Sequence, residues 1–229
     1  MLYLFLLGTL VFQQGDTLKF MQNDTLLDQW FLGEEKKDET IYIKRAKVAA
    51  NNKYFFLYEE KFYPDKEDAF TKITYYNATR TKLWGKTIRG ARRVSWELTR
   101  LFDDKLILIT TNRYYGAPSL YIIKNRKMQQ IIKADTWQGI VNYEVSPNFR
   151  YIALHTKNPY NNKPWDYIGC IDLKTMKQWS YLFPVCLSCK RAKIDLNVND
   201  DGIIEVIHKN EHRVFSKDGT LMDVYLKVD

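Results

Sequence analysis

Apolar residues along this chain come in short runs broken by polar turns, and no stretch keeps the three- and four-residue spacing of an amphipathic helix over three turns. One unit recurs about every 50 residues: a short apolar strand, a polar turn and a second apolar strand. Its copies read TLKFMQNDTLLDQWFL from Thr17, KITYYNATRTKLW from Lys72, SLYIIKNRKMQQIIK from Ser119, YIGCIDLKTMKQWSYL from Tyr167 and HRVFSKDGTLMDVYL from His212. The first and last copies are nearly the same text, NDTLLD against DGTLMD.

A second pattern precedes each of the later hairpins. It runs apolar strand, Asx- or Pro-containing turn, then a strongly apolar strand: AKVAANNKYFFLYEE (46–60), SWELTRLFDDKLILITT (95–111), NYEVSPNFRYIALHT (142–156) and AKIDLNVNDDGIIEVIH (192–208). The turns at Asn51-Asn52, Asp103-Asp104, Pro147-Asn148 and Asp200-Asp201-Gly202 suit positive φ. The runs YFFLY, LILIT, YIALH and IIEVI hardly alternate, which predicts strands buried on both faces. Together the two patterns make a four-stranded antiparallel unit, the blade of a β-propeller. The expected fold is all-β, a propeller of about five blades: about four complete repeats plus an N-terminal hairpin. The repeats fall at about 17–40, 41–87, 88–133, 134–183 and 184–229 within a single domain spanning 16–229.

The segment VSPNFRYIAL resembles the S-P-D-G-x-x-I-A signature of the TolB-like and tryptophan–aspartate-repeat-like bacterial propellers. Ser146, Pro147, Asn148, Phe149, Arg150, Tyr151, Ile152 and Ala153 occupy that pattern. Phe149 stands where the family has Gly, so an altered turn is expected there. SKDGTLMD resembles the final hairpin of such blades. The resemblance implies the propeller architecture and often a binding role at the channel mouth; it implies no single activity, since propellers carry many.

Residues 1–15 read in two ways. MLYLFLLGTLVFQQG is too short to span a bilayer but suits the apolar core of a secretory signal, although no Lys or Arg precedes it and no A-x-A site follows. Alternatively LYLFLLG and TLVFQQG form a first strand pair. A signal places the mature chain in the periplasm or outside the cell; a strand pair leaves it cytoplasmic. No other segment is apolar enough to cross a membrane.

The 229 residues are 45% hydrophobic and 15% aromatic, which excludes disorder and favours strands. The net charge of +8 favours acidic partners, although lysines on strand faces and edges also guard sheets against aggregation. Three cysteines, Cys170, Cys186 and Cys189, are too few for a disulfide framework. Cys186 and Cys189 form a lone C-x-x-C without a second pair. They read as unpaired or structural thiols, as a disulfide within the loop or one involving Cys170, or as two ligands of a zinc site completed by a histidine. Asp195, Asn197 and Asn199 superficially resemble a calcium loop, but Asp200 and Val206 stand where Gly and Glu are needed, so a capped turn is expected.

Candidate binding residues come from two sources. The connection from Arg80 to Arg100 is rich in Arg and Lys and interleaved with Trp84 and Trp96; Arg92, Arg93 and Trp96 are its chief candidates. Loops joining the second and third strands of each blade carry Phe62, Tyr63, Tyr114, Tyr115, Tyr160 and Trp165, and should project together. No catalytic triad, P-loop or dinucleotide fingerprint occurs, so no cofactor and no catalytic residue is assigned. Nothing matches a nucleic-acid-binding motif. The reading is a non-catalytic module that binds a protein or carbohydrate, with acidic ligands favoured, through aromatic and basic loops. The alternatives are a propeller hydrolase or lyase using loop carboxylates or His155, and the accessory propeller or fragment of a larger hydrolase.

Overall fold

The structure, a computed structural model, describes residues 8–63, 68–89, 92–112, 118–124, 127–132, 139–157, 165–184 and 194–227. Among these there is no helix, and therefore none long and apolar enough to cross a membrane. The strands form five antiparallel sheets. The first sheet holds β1 (Leu10–Gln14), β2 (Thr17–Gln22) and β3 (Thr25–Phe31). The second runs β4 (Gly33–Lys37), β5 (Thr40–Val48), β6 (Tyr54–Tyr63), β7 (Asp68–Asn77) and β8 (Lys82–Arg89) in order. The third has β9 (Arg92–Val94) and β10 (Arg100–Leu101) both beside β11 (Lys105–Asn112), then β12 (Pro118–Lys124) and β13 (Lys127–Ile132). The fourth is β14 (Ile140–Val145), β15 (Tyr151–Lys157), β16 (Trp165–Asp172) and β17 (Gln178–Pro184). The fifth is β18 (Ile194–Val198), β19 (Ile204–His208), β20 (Glu211–Phe215) and β21 (Leu221–Leu226). Each repeated hairpin supplies the last two strands of its sheet, and the sheets are propeller blades.

The chain divides into two compact units, residues 1–115 with 119–130, and 116–118 with 131–229. In the first unit the run at β6 is buried on both faces, as its lack of alternation predicts. Phe55 and Leu57 join Val11, Leu18, Phe20 and Ala46. Phe56 and Tyr58 join Ile73, Tyr75, Leu106 and Leu108 on the other side. Each such side chain contributes roughly 1.5–3 kcal/mol of burial. In the second unit the fourth and fifth sheets share one apolar layer. Tyr151, Ala153, Ile168, Cys170 and Phe183 meet Ile194, Leu196, Val198, Ile204, Val206 and Phe215 there.

The near-identity of the first and last hairpins has a structural cause. In β3, Leu27 is the extra residue of a bulge, because Leu26 pairs with Met21 and Asp28 with Phe20. In β21, Met222 is the extra residue in the same way. Asp28 and Asp223 then each accept the next backbone N–H, both at 2.8 Å. Leu83 repeats the bulge in β8. The TLLD, TKLW and TLMD texts thus mark a kink that blunts an edge strand.

Four sequence expectations need correction. The turn at Phe149 is not altered: Phe149 itself takes φ +62°, as Gly202 (+81°) and Asn52 (+56°) do at the matching turns. Ser95–Leu101 is not one strand; Thr99 folds back onto the Ser95 carbonyl through its N–H (2.9 Å) and hydroxyl (2.8 Å). β4 was not anticipated, because GEEKK contains no apolar residue to mark it. The IIEVI run, unlike YFFLY, is buried on one face only, since Glu205 occupies the other. Of residues 1–15, Leu10–Gln14 form β1 with Val11 fully buried, and residues 1–7 lie outside the described part.

Gly202 is expected to resist replacement. A Cβ there would stand 2.8 Å from the Tyr151 ring, on a backbone at φ +81°. Gly202→Ala should cost about 1–3 kcal/mol in urea unfolding; an unchanged midpoint would contradict this reading of the turn.

Candidate functional site

In the second unit, strand connections alternate between two ends. The β14–β15, β16–β17, β18–β19 and β20–β21 turns gather at one end. There Ser146 caps its turn by accepting the Tyr151 N–H at 2.9 Å. Asn148 donates to Asp200 through its backbone (2.7 Å, to the carboxylate) and its side chain (3.1 Å, to the carbonyl), latching the two sheets. Arg150 reaches Asp172 with both Nε (3.5 Å) and Nη2 (3.1 Å). Burial opposes ionisation of Asp172, but Arg150 and the backbone N–H groups of Lys174 and Thr175 outweigh it and hold the carboxyl at about 2. The Trp179 indole donates to the Lys217 carbonyl at 2.8 Å. Its ring lies where a Cβ on Gly219 would be only 2.7 Å away, so the SKDG turn closes tightly on it.

These residues line a half-open groove of about 310 Å³, walled by Arg150, Tyr151, Asp172, Trp179, Lys177 and Lys217, among others. Arg150 is neutralised by Asp172. Lys177 and Lys217 have no ion pair among the described residues, so the groove lining carries two unpaired lysines, together with Asp218, beside an indole. Sequence reading missed it. The signal was the recurrence of Lys at the turns of successive hairpins, KTMKQW and SKDG, with Trp179 beside the first, which turn chemistry alone does not single out.

The open face of the fifth sheet carries a polar ladder. Glu205 accepts from Asn197 Nδ2 (3.1 Å), His212 Nδ1 (2.7 Å) and the Tyr225 hydroxyl (2.7 Å). The His212 and Tyr225 rings stack at 4.9 Å. His212 foremost, then Tyr225 and Asn197, hold the Glu205 carboxyl down at about 2. At the other end of the unit, His155 Nε2 lies 2.8 Å from Asp166 Oδ2. His155 is only 4% exposed, with Asp166 partly exposed beside it.

Of the residues expected from sequence, Trp96 has a described side chain. It is half-buried, 6.0 Å from the Phe56 ring and 5.6 Å from Tyr58. Lys47 lies 4.7 Å from its ring centre and donates 2.5 Å bonds to the Trp96 and Thr99 carbonyls. Desolvation lowers the Lys47 pKa. Trp96 still borders a cavity of about 340 Å³ with Asp16, Glu34, Lys44 and Arg45. Arg92 and Arg93 lie on β9 opposite Asn112 and Thr111, and Trp165 opens β16 opposite Pro184; their side chains lie outside the described part. Tyr114, Tyr115 and Tyr160 lie outside it altogether, as do Cys186 and Cys189. Phe62 and Tyr63 belong to β6 rather than to a loop, with Tyr63 edge-on to Phe70 at 6.1 Å. Cys170 is a free, buried thiol whose pKa burial pushes up to about 12. Asn199 caps its own turn through the Asp201 and Ile203 N–H groups. Among the described residues no three His, Cys, Asp or Glu side chains group as a metal centre.

No protein-family model matches the chain, and no curated protein matches it. Solved structures do. The β-propeller domain of the Trilobed protease from Pyrococcus furiosus, which has an open velcro topology, superposes with a TM-score of 0.52 at 11% identity, over 85% of this chain and 59% of that one. The WD40 domain of SCAP from fission yeast gives 0.43 at 9% identity, over 86% and 56%. A segment of HIRA gives 0.46 at 8%, over 83% and 57%. The chain therefore spans less than two thirds of each of these structures. At 11% identity the likeness to the Trilobed protease domain is one of fold, and the fold is the β-propeller.

The two depressed carboxylates give the second unit a defined acid response. Asp172 and Glu205 have ordinary values of 3.8 and 4.5 and folded values of about 2. Their contribution is complete above about pH 5 and is lost as pH falls towards 2. Glu205→Gln should lower the melting temperature at pH 6 and flatten its fall between pH 5 and 2. A variant with the wild-type slope would contradict the ladder.

Proposed function

We propose that the chain is a non-catalytic binding module and that it takes an acidic protein segment in the groove at the turn end of the fourth and fifth sheets. The observation that carries this reading is the pairing of Lys177 and Lys217, neither held in an ion pair among the described residues, with the Trp179 indole in one groove. Two exposed ammonium groups attract carboxylates, and an indole offers apolar area with a fixed orientation. Together they suit an extended segment bearing Glu or Asp beside an apolar residue. The Arg150–Asp172 pair and the Asn148–Asp200 latch fix the walls beforehand, which reduces the ordering cost of binding. The overall charge of +8 draws the same class of partner.

Fluorescence anisotropy with labelled Glu/Asp-rich peptides and neutral peptides of equal length tests this. The wild type should prefer the acidic set, more strongly at low salt. Reversing both charges, Lys177→Glu with Lys217→Glu, should weaken binding by about tenfold or more, and Trp179→Ala should weaken it again. Equal affinity for neutral peptides, or binding that survives the charge reversal, would overturn the proposal.

A further inference from the structure

The apolar layer between the fourth and fifth sheets ends, opposite the groove, in two histidines. His155 belongs to β15 and His208 to β19. Side chains alternate along a strand, so His155 shares the face of Tyr151 and Ala153, and His208 that of Ile204 and Val206; both faces meet in the shared layer. The surrounding pairings bring them to one place. Asn142, opposite His155, donates to the Ile194 carbonyl at 3.5 Å, and Ile194 is the register partner of His208. Phe183, opposite Asp166, presents its ring edge-to-face to His208 at 5.9 Å.

Each imidazole has one nitrogen buried without a hydrogen-bond partner, Nδ1 of His155 and Nε2 of His208. An orphaned buried polar atom is costly unless something meets it. His155 is held by Asp166 through the opposite nitrogen, an arrangement that fixes the orientation of the ring. A neutral imidazole is the form that ligates a metal.

We infer that His155 and His208 form a two-imidazole site for a divalent transition metal of the zinc, nickel or copper class, with Asp166 as the carboxylate that orients His155. Such ions take nitrogen ligands readily. Among the described residues no third His, Cys, Asp or Glu groups there, so the two imidazoles are the protein ligands assigned. The expected affinity is therefore that of a partial site, weaker than a closed structural one.

Titration of the full chain with Zn²⁺, Ni²⁺ or Cu²⁺ chloride, read by calorimetry and by melting temperature, tests the site. Saturable binding at one site and a raised melting temperature are expected, with nitrogen hyperfine couplings in the Cu²⁺ paramagnetic resonance spectrum. His208→Gln and Asp166→Asn should each weaken binding by about tenfold or more. His208→Gln is the variant of choice should His155→Gln fail to fold, because His208 is only half-buried. His212→Gln and the double change Cys186→Ser with Cys189→Ser should leave binding intact. Absence of saturable binding would mean that the two nitrogens meet only water. Binding that survives His208→Gln, or that disappears with the cysteines, would equally overturn the inference.

Discussion

A sheet face carrying Tyr151, Ala153, Ile168, Cys170 and Phe183 must be covered, and in the second unit the fifth sheet covers it with Ile194, Leu196, Val198, Ile204, Val206 and Phe215. That layer fixes how the two sheets stack, and the stacking decides which polar groups meet at its ends. At the turn end Tyr151 packs over Gly202 and Trp179 over Gly219, with Lys217 between them. At the loop end Phe183 and His208 meet, with His155 and Asp166 alongside. The polar sites follow from the apolar contact rather than from any local motif.

The layer also explains why so many turns are conformationally demanding. Strands packed this closely need tight reversals, and each inner turn in the second, fourth and fifth sheets places a residue at positive φ. Gly202 adopts it without strain, Asn52 at small cost, and Phe149 against its preference. Phe149 is held there by the Ser146 carbonyl, which accepts its N–H at 2.8 Å. Tertiary structure thus overrides a local preference worth about 1–2 kcal/mol.

Much of this was legible in the sequence. The hairpins, the YFFLY run buried on both faces and the turns at Asn52, Asn148 and Gly202 all have a short-range signature, and each appears where the pattern puts it. The turn at Thr99 did not, because its cause is distant: Lys47 enters from another sheet and binds the Trp96 and Thr99 carbonyls. β4 was hidden because a wholly exposed Glu/Lys strand looks like a loop. The candidate site was the least legible part. Aromatic loops were the obvious place to look, whereas the groove draws on Arg150, Lys177, Trp179 and Lys217, residues from three separate turns that only stacking assembles. Glu205 read as one carboxylate inside an apolar run, and only the strand register places it beside His212 and Tyr225.

The central claim is that the turn end of the fourth and fifth sheets is where a partner binds. The Trp179 indole N–H reports on it directly, since it donates to the Lys217 carbonyl at the groove wall. Nitrogen-edited NMR of the full chain, titrated with an acidic peptide, follows that signal alongside the other five indoles of the six tryptophans. The account predicts saturable shifts centred on the Trp179 indole and the amides of Lys177 and Lys217. Shifts centred instead on Trp96, with the Trp179 signal unmoved at saturation, would contradict it.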